Sequence, residues 1–361
     1  MRLSVKNSMS KFMSSKFADL QAYTPGEQPK DTKYIKLNTN ESPFAPPKSV
    51  VKAMKQQGKA ANLYSDPECA LLRQKAAEMY GVEAKNVLAF NGSDEVLNFA
   101  FAAFSEKGVA YPAISYGFYS VFAKINGIDA MEIPLQDDLS ISLDEYYKTD
   151  RMVVIANPNA PTGLCLSYDE IESLVASKPD RVVVIDEAYV LFGAKSVVPL
   201  TKKYDNLLVT QTFSKSHALA GARLGFGIAN EKLIEDIDKL RNSTNPYNVN
   251  RMTQGAGCAA IDNNKIFVDN CAVICENRKY ACDELKALGF TLTDSKANFL
   301  FAKSDKVSGE ELYRQLKAKG ILVRWFSKPD ICDYVRITVG TKKQMKALIS
   351  AIKEILENAS K

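Results

Sequence analysis

Four polar clusters, far apart in the chain, each close a short apolar run. Asn91-Gly92-Ser93-Asp94 follows VLAF (87–90), and Asn157 to Thr162 follows MVVIA (152–156). Asp186 ends VVVID (182–186) with Tyr189 three residues on, and Ser214-Lys215 follows LLVTQTF (207–213). Runs this apolar and β-branched read as buried strands. Ligands of open α/β sheets bind beyond the carboxyl ends of such strands. The four clusters are therefore expected to converge on one rim of one sheet, bringing together a lysine amine, a carboxylate and a helix start.

That set suits pyridoxal 5'-phosphate (PLP). Lys215 would hold it as an imine, or Schiff base. Asp186 would face the pyridinium nitrogen and keep it protonated, and Tyr189 would donate near the ring hydroxyl. At Gly92-Ser93-Asp94 a helix begins, offering free N–H groups and a positive dipole end to a phosphate. Thr212, Ser214 and Arg223 can close around the same phosphate. Singly, each residue has a plainer explanation. An aspartate at a strand end is usually a cap, and a lone lysine a surface charge. Gly221, Gly225 and Gly227 are turn glycines that miss the G-x-x-x-x-G-K-[ST] spacing of a P-loop. Only the combination carries the reading.

The elements that position these residues follow from periodicity. Residues 48–57, 66–80 and 92–104 read as helices, and RLGFGIA (223–229) as a further strand. Strands alternating with helices predict an α/β fold, with a mostly parallel central sheet flanked by helices. Beyond residue 230 the rhythm changes. Helices are expected at 231–242 and 265–288, alternating strands in FTLTDSKANFLFAK, and a helix ending at Gly320. ILVRWF and YVRITVG read as strands, and a last helix aligns Met345, Leu348, Ile349, Ile352, Ile355 and Leu356 on one face. This predicts a smaller α+β domain. The expected boundaries are an arm and part of the small domain at 1–47, a large PLP-binding domain at 48–262 and a small domain at 263–361.

Composition removes other classes. The 361 residues exceed one ordinary core, and 46% hydrophobic content can bury two. The net charge of +5 is spread along the chain without a basic stripe, so no nucleic-acid partner is expected. No apolar run approaches the roughly 20 residues of a membrane span. Seven cysteines without a C-x-x-C pair, and one histidine, argue against zinc or any other metal site. Cys271, Cys275 and Cys282 fall at helical spacing and read as reduced packing residues. The basic, Ser-rich start MRLSVKNSMSKFMSS lacks a signal-peptide core and reads as a disordered arm, so a cytoplasmic location is expected.

SDPECALLR, GSDE, NPNAPTG, DEAY, TFSKSHALAGARLGF and VRITVGT occur in the order seen in class II aminotransferases of PLP-dependent fold type I, and the chain resembles that family from about Tyr23 to its last helix. Within it the set most closely resembles the histidinol-phosphate aminotransferases. The resemblance implies that Lys215 is the Schiff-base lysine and proton shuttle, and that Tyr116 stacks on the cofactor ring. It implies that Ser93, Asp94, Thr212, Ser214 and Arg223 line the phosphate region. Tyr64 would reach the cofactor phosphate of a second subunit, so a homodimer is expected. Arg336 would clamp the substrate carboxylate, and an arginine inside an apolar strand is costly unless paired. Arg324, Tyr23 and Asn40 are further substrate-pocket candidates. The substrates implied are L-histidinol phosphate and 2-oxoglutarate, giving imidazole acetol phosphate and L-glutamate. One departure stands out. The family commonly has Asn immediately before Pro-Thr-Gly, and here that position is Ala160, preceded by Asn159. Either Asn159 swings in to the ring oxygen or Tyr189 makes that contact alone.

Three rival readings remain at this level: a threonine-phosphate decarboxylase, an aromatic amino-acid aminotransferase, and a non-catalytic PLP-binding regulator. The last would carry a helix-turn-helix domain ahead of the PLP domain, for which too few residues precede Tyr23. His217, two residues past Lys215, is expected to be structural, because the lysine already moves the proton.

Overall fold

The computed structural model describes residues 10–18, 20, 23–29 and 32–359. The first nine residues of the expected arm lie outside these, and Ser15–Phe17 form one 3-10 turn. Seven strands make the central sheet: β1 (Val87–Phe90), β2 (Val109–Pro112), β3 (Ala130–Ile133), β4 (Met152–Ala156), β5 (Val183–Asp186), β6 (Leu207–Thr212) and β7 (Gly225–Ala229). Their spatial order is β1-β7-β6-β5-β4-β2-β3. The run from β3 to β6 is parallel, and β7 lies antiparallel between β6 and β1.

Alternation along each strand feeds two cores. Val153, Ile155, Val183 and Ile185 face one of them, with Leu72, Ile171 and Ala256 from covering helices. Val154, Ala156 and Val184 face the other, with Val96, Leu97, Tyr119 and Ile237. Every residue of β4, β5 and β6 is buried, which is why these strands read as continuous apolar runs rather than alternating ones. Each buried Val, Leu or Ile contributes roughly 1.5–3 kcal/mol.

A second, antiparallel sheet joins β8 (Phe290–Leu292), β9 (Phe299–Ser304), β10 (Arg324–Trp325) and β11 (Val335–Thr338) in the order β10-β11-β9-β8. Its core takes Leu312 and Leu316 from the helix Gly309–Ala318, and the predicted stripe from Met345 to Leu356. Ile35–Lys36 pairs in parallel with Ile321–Leu322, tying the N-terminal segment to this part of the molecule.

Several elements differ from the sequence reading. β2 and β3 were not expected: VAYP ends in proline, and AMEI is a largely solvent-facing edge strand without an apolar run. The helix Arg251–Asp262 was also missed, because Gly255 and Gly257 break its pattern. Gly257 is there for close approach, since a Cβ would lie 2.5 Å from Leu224 and 2.8 Å from Leu72. The second helix begins at Ala70 rather than 66, because Cys69 before it is left-handed (φ 48°) and Asp66 folds the preceding turn by accepting from the N–H groups of Glu68 and Ala70.

Candidate active site

The carboxyl ends of β4 to β6 open on one cavity, lined by Ser93, Asp94, Tyr116, Ala160, Asp186, Tyr189, Thr212, Ser214, Lys215 and Arg223. Parallel register sets Ala156, Asp186 and Thr210 level across three neighbouring strands. Lys215 lies three residues past the end of β6, half-buried. Its Nζ donates a long 3.3 Å hydrogen bond to the Thr39 carbonyl. An amine held so weakly is available to a ligand.

Asp186 is 4% exposed, and burial pushes its carboxyl up to about 6. Three donors oppose that shift. The Tyr119 hydroxyl donates to Oδ2 at 3.0 Å, and Thr210 Oγ1 and the Ala188 N–H donate to Oδ1 at 3.1 and 3.2 Å. Near neutrality the group is a buried anion at the cavity wall.

One corner of the cavity is built by two glycines. A Cβ on Gly225 would lie 2.4 Å from the Ser93 nitrogen, so only glycine lets β7 pass beneath the start of the helix Ser93–Phe104. Gly92 has φ +87°, and a Cβ there would strike the Arg223 guanidinium. Arg223 itself adopts φ 56°, a strained conformation for a residue with a side chain. That backbone aims its guanidinium at Asp94 Oδ2 (2.9 Å) and Ser214 Oγ (3.3 Å). Asp94 also accepts from the Tyr116 hydroxyl at 2.8 Å, and Thr212 Oγ1 donates to Ser214 Oγ at 3.0 Å.

A wider cavity of about 650 Å³ continues from Lys215, Tyr116 and Tyr189 to Tyr23, Asn40, Arg324 and Arg336. Arg324 and Arg336 face each other across the β10–β11 pair. Directly opposed like charges are destabilising unless something anionic joins them. No salt bridge satisfies either arginine among the described residues. Arg336 donates only a 3.3 Å hydrogen bond to the Asn38 carbonyl, its Nε is buried without a partner, and burial pushes its pKa down. Arg324 reaches the Thr24 carbonyl at 3.4 Å. Lys328 adds a further cation to this cavity, and Glu132 is the sole carboxylate among the described residues lining it. Asn40 donates to the Tyr189 hydroxyl at 3.0 Å and accepts from Thr338 Oγ1. The Tyr23 ring packs on Phe118 with centroids 4.3 Å apart.

Two sequence-predicted residues lie elsewhere. The Asn159 amide is buried against the loop that follows β2: Nδ2 donates to the Ile114 carbonyl at 3.0 Å, and Oδ1 accepts from Ser115 Oγ at 2.7 Å. Ala160, not Asn159, lines the cavity. Tyr64 is 77% exposed and stacks on Tyr247, away from its own chain's cavity. His217 is buried, stacked on Phe213 at 3.8 Å, with Nε2 3.0 Å from Asn264 Oδ1. Burial pushes it down to about 4, so it is neutral at working pH. Tyr119, Thr210, Lys328 and Glu132 were not foreseen. Among the described residues, no group of His, Cys, Asp and Glu has metal-binding geometry.

The residues present fit PLP: a weakly held lysine, a buried anion, a corner that a Cβ would fill and an arginine aimed into it. Comparison with known proteins agrees. The profile of the family "Aminotransferase class I and II" matches residues 32–352. A histidinol-phosphate aminotransferase of Brachyspira hyodysenteriae is 46% identical over 97% of this chain and 100% of its own length. Another, from Clostridium beijerinckii, is 42% identical over 98% of this chain and 99% of its own. The crystal structure of histidinol-phosphate aminotransferase from Sinorhizobium meliloti in complex with pyridoxal-5'-phosphate shares the fold, with a TM-score of 0.88 and 22% identity over 97% of this chain and 99% of that one. The chain belongs to the class I and II aminotransferases, and within them to the histidinol-phosphate aminotransferases.

Proposed function

We propose that this PLP-dependent aminotransferase moves the amino group of L-histidinol phosphate to 2-oxoglutarate, giving imidazole acetol phosphate and L-glutamate. The observation that carries the reading is the opposed, unneutralised pair Arg324 and Arg336 at the far side of a cavity that begins at Lys215. One substrate brings a phosphate and the other two carboxylates, and this pair serves both kinds of anion.

When bound, the cofactor supplies an electron sink that makes the substrate α-hydrogen acidic. Lys215 would hold it through Nζ, and the same amine, once free, is the base placed to take the substrate α-proton and pass it on within the cavity. Asp186 would face the ring nitrogen as an anion, and Tyr116 would form the stacking wall. The N–H groups at Ser93 and Asp94, with Thr212, Ser214 and Arg223, hold the phosphate. Arg336 orients the substrate carboxylate, with Arg324, Tyr23 and Asn40 around it. The commitment of the Asn159 amide to the Ile114 carbonyl favours Tyr189 as the sole donor to the ring oxygen.

The same reading makes the protein a cytoplasmic homodimer. Tyr64 supports the dimer, since it is exposed, stacked on Tyr247 and apart from its own chain's cavity. Seven free cysteines fit a reducing compartment, and no helix among the described residues is long and apolar enough to cross a membrane. Residues 48–262 would carry the cofactor, and residues 263–361, joined by part of 1–47, would close over the substrate. The pairing of Ile35–Lys36 with Ile321–Leu322 supports that division.

Glutamate formation from 2-oxoglutarate, driven by L-histidinol phosphate, tests the activity. Release of carbon dioxide from L-threonine phosphate without 2-oxoglutarate, or turnover of aromatic amino acids alone, would overturn it.

A further inference from the structure

Asp186 stands at the centre of the sheet, yet two of the groups that hold it come from side chains outside the DEAY stretch. One is Thr210, level with it on the next strand. The other is Tyr119, from the helix Phe118–Asn126. The Tyr119 ring is fully buried. It meets Tyr116 edge-on at 5.7 Å (87°) and Tyr111 at 5.8 Å (61°), and packs near Phe101 at 6.3 Å. Its neighbours Phe118 and Phe122 show that a phenylalanine would suit this apolar surface. A hydroxyl buried there costs free energy unless it is bonded, and its partner is the Asp186 carboxylate.

We propose that Tyr119, with Thr210 beside it, is a positioning residue for the reaction. Its hydroxyl holds Asp186 as an aimed anion, so that the proton shared with the cofactor ring nitrogen resides on the nitrogen and not on the carboxylate. The proposal rests on the reading that Asp186 faces that nitrogen. Hydrogen bonds to an ionised group favour the ionised form. Burial and the nearby Asp94 carboxylate push Asp186 the other way. The remaining ionisable groups lining the same cavity are Tyr116, Tyr189, Lys215 and Arg223. Tyr119 itself cannot ionise in the working range, because burial and Asp186 push its phenol far up. It is therefore a permanent donor. Edge-on contact with Tyr116 gives it a second consequence: one ring braces both the stacking wall and the anion.

The test is Tyr119→Phe, which keeps the ring and deletes the donor, with Thr210→Val as a second variant that removes the donor to Oδ1. Both are compared with wild-type holoenzyme carrying cofactor labelled with ¹⁵N in the pyridine ring. The expected result is a shift of the ring-nitrogen resonance from the protonated toward the neutral range. It is accompanied by a roughly ten- to hundredfold fall in kcat with KM little changed, the scale of a hydrogen bond to a charged group. A resonance and kcat equal to wild type in both variants would overturn the proposal. If only Thr210→Val can be purified folded, the same two readouts decide it. Asp186→Asn, measured alongside, separates the premises: a nitrogen still protonated in that variant would sink the Asp186 reading itself.

Discussion

Replacing Asp186 with asparagine is expected to stabilise the cofactor-free protein while weakening its hold on PLP. The carboxyl is 4% exposed, and burial raises it from its ordinary 3.8 to about 6. Each tenfold change in an ionisation constant is worth about 1.4 kcal/mol, so ionising Asp186 in the folded apoprotein costs about 3 kcal/mol. The sign follows from linkage. A carboxyl raised on folding favours the folded state fully below its unfolded value and loses that contribution as pH rises through its folded value. The asparagine side chain does not titrate and carries no such dependence. Urea unfolding of the two apoproteins should give similar stabilities near pH 4 and a gap of up to about 3 kcal/mol in favour of the variant at pH 8. Glu187 is pushed to about 7 chiefly by its own burial, with the Asp186 charge adding to the shift, so removing that charge eases Glu187 ionisation and widens the gap at pH 8 in the same direction. PLP titration should show the opposite ranking, because the variant lacks the anion that faces the pyridinium. A gap independent of pH, or a variant less stable than wild type at pH 8, would refute the reasoning.

Arg336→Lys should lower kcat/KM for both half-reactions by roughly ten- to a hundredfold and leave PLP affinity intact, because an ammonium cannot reproduce the guanidinium fork; steady-state kinetics with each substrate checks this. Gly225→Ala places a methyl 2.4 Å from the Ser93 nitrogen, so thermal unfolding should show a loss of roughly 1–3 kcal/mol, with weaker PLP binding. His217, pushed down to about 4, contributes stability present above its ordinary 6.5 and lost as pH falls through about 4. Wild type should therefore lose up to about 3 kcal/mol across that window. In His217→Phe, denaturant titrations should lack this acid-side loss.

The chain's strand-end logic brought Asp186, Tyr189, Lys215 and Ser93 to one rim without any relative in view, because buried parallel strands leave a nearly unbroken apolar signature with polar clusters at their ends. Arg336 and Arg324 needed the family resemblance, since nothing in their spacing announces that β10 and β11 set them opposite each other. Tyr119 was hidden by its surroundings. In FYSVFA it reads as one more core aromatic, and its hydrogen-bond partner lies 67 residues away. A hydroxyl among phenylalanines was the available signal. The direction of the Asn159 amide depends on the Ile114 carbonyl and the Ser115 hydroxyl, about 45 residues away in the loop after β2, which no spacing rule describes. β3 escaped notice because an edge strand with solvent-facing residues has no period to detect.

The central claim is that Lys215 holds the cofactor. Borohydride reduction of the purified protein with PLP, followed by proteolysis and mass spectrometry, tests it directly. The account predicts the reduced cofactor on the peptide containing Lys215, absent in Lys215→Ala, and lost when excess L-histidinol phosphate is added before reduction. Cofactor trapped on any other lysine, or retained in Lys215→Ala at the wild-type level, would contradict it.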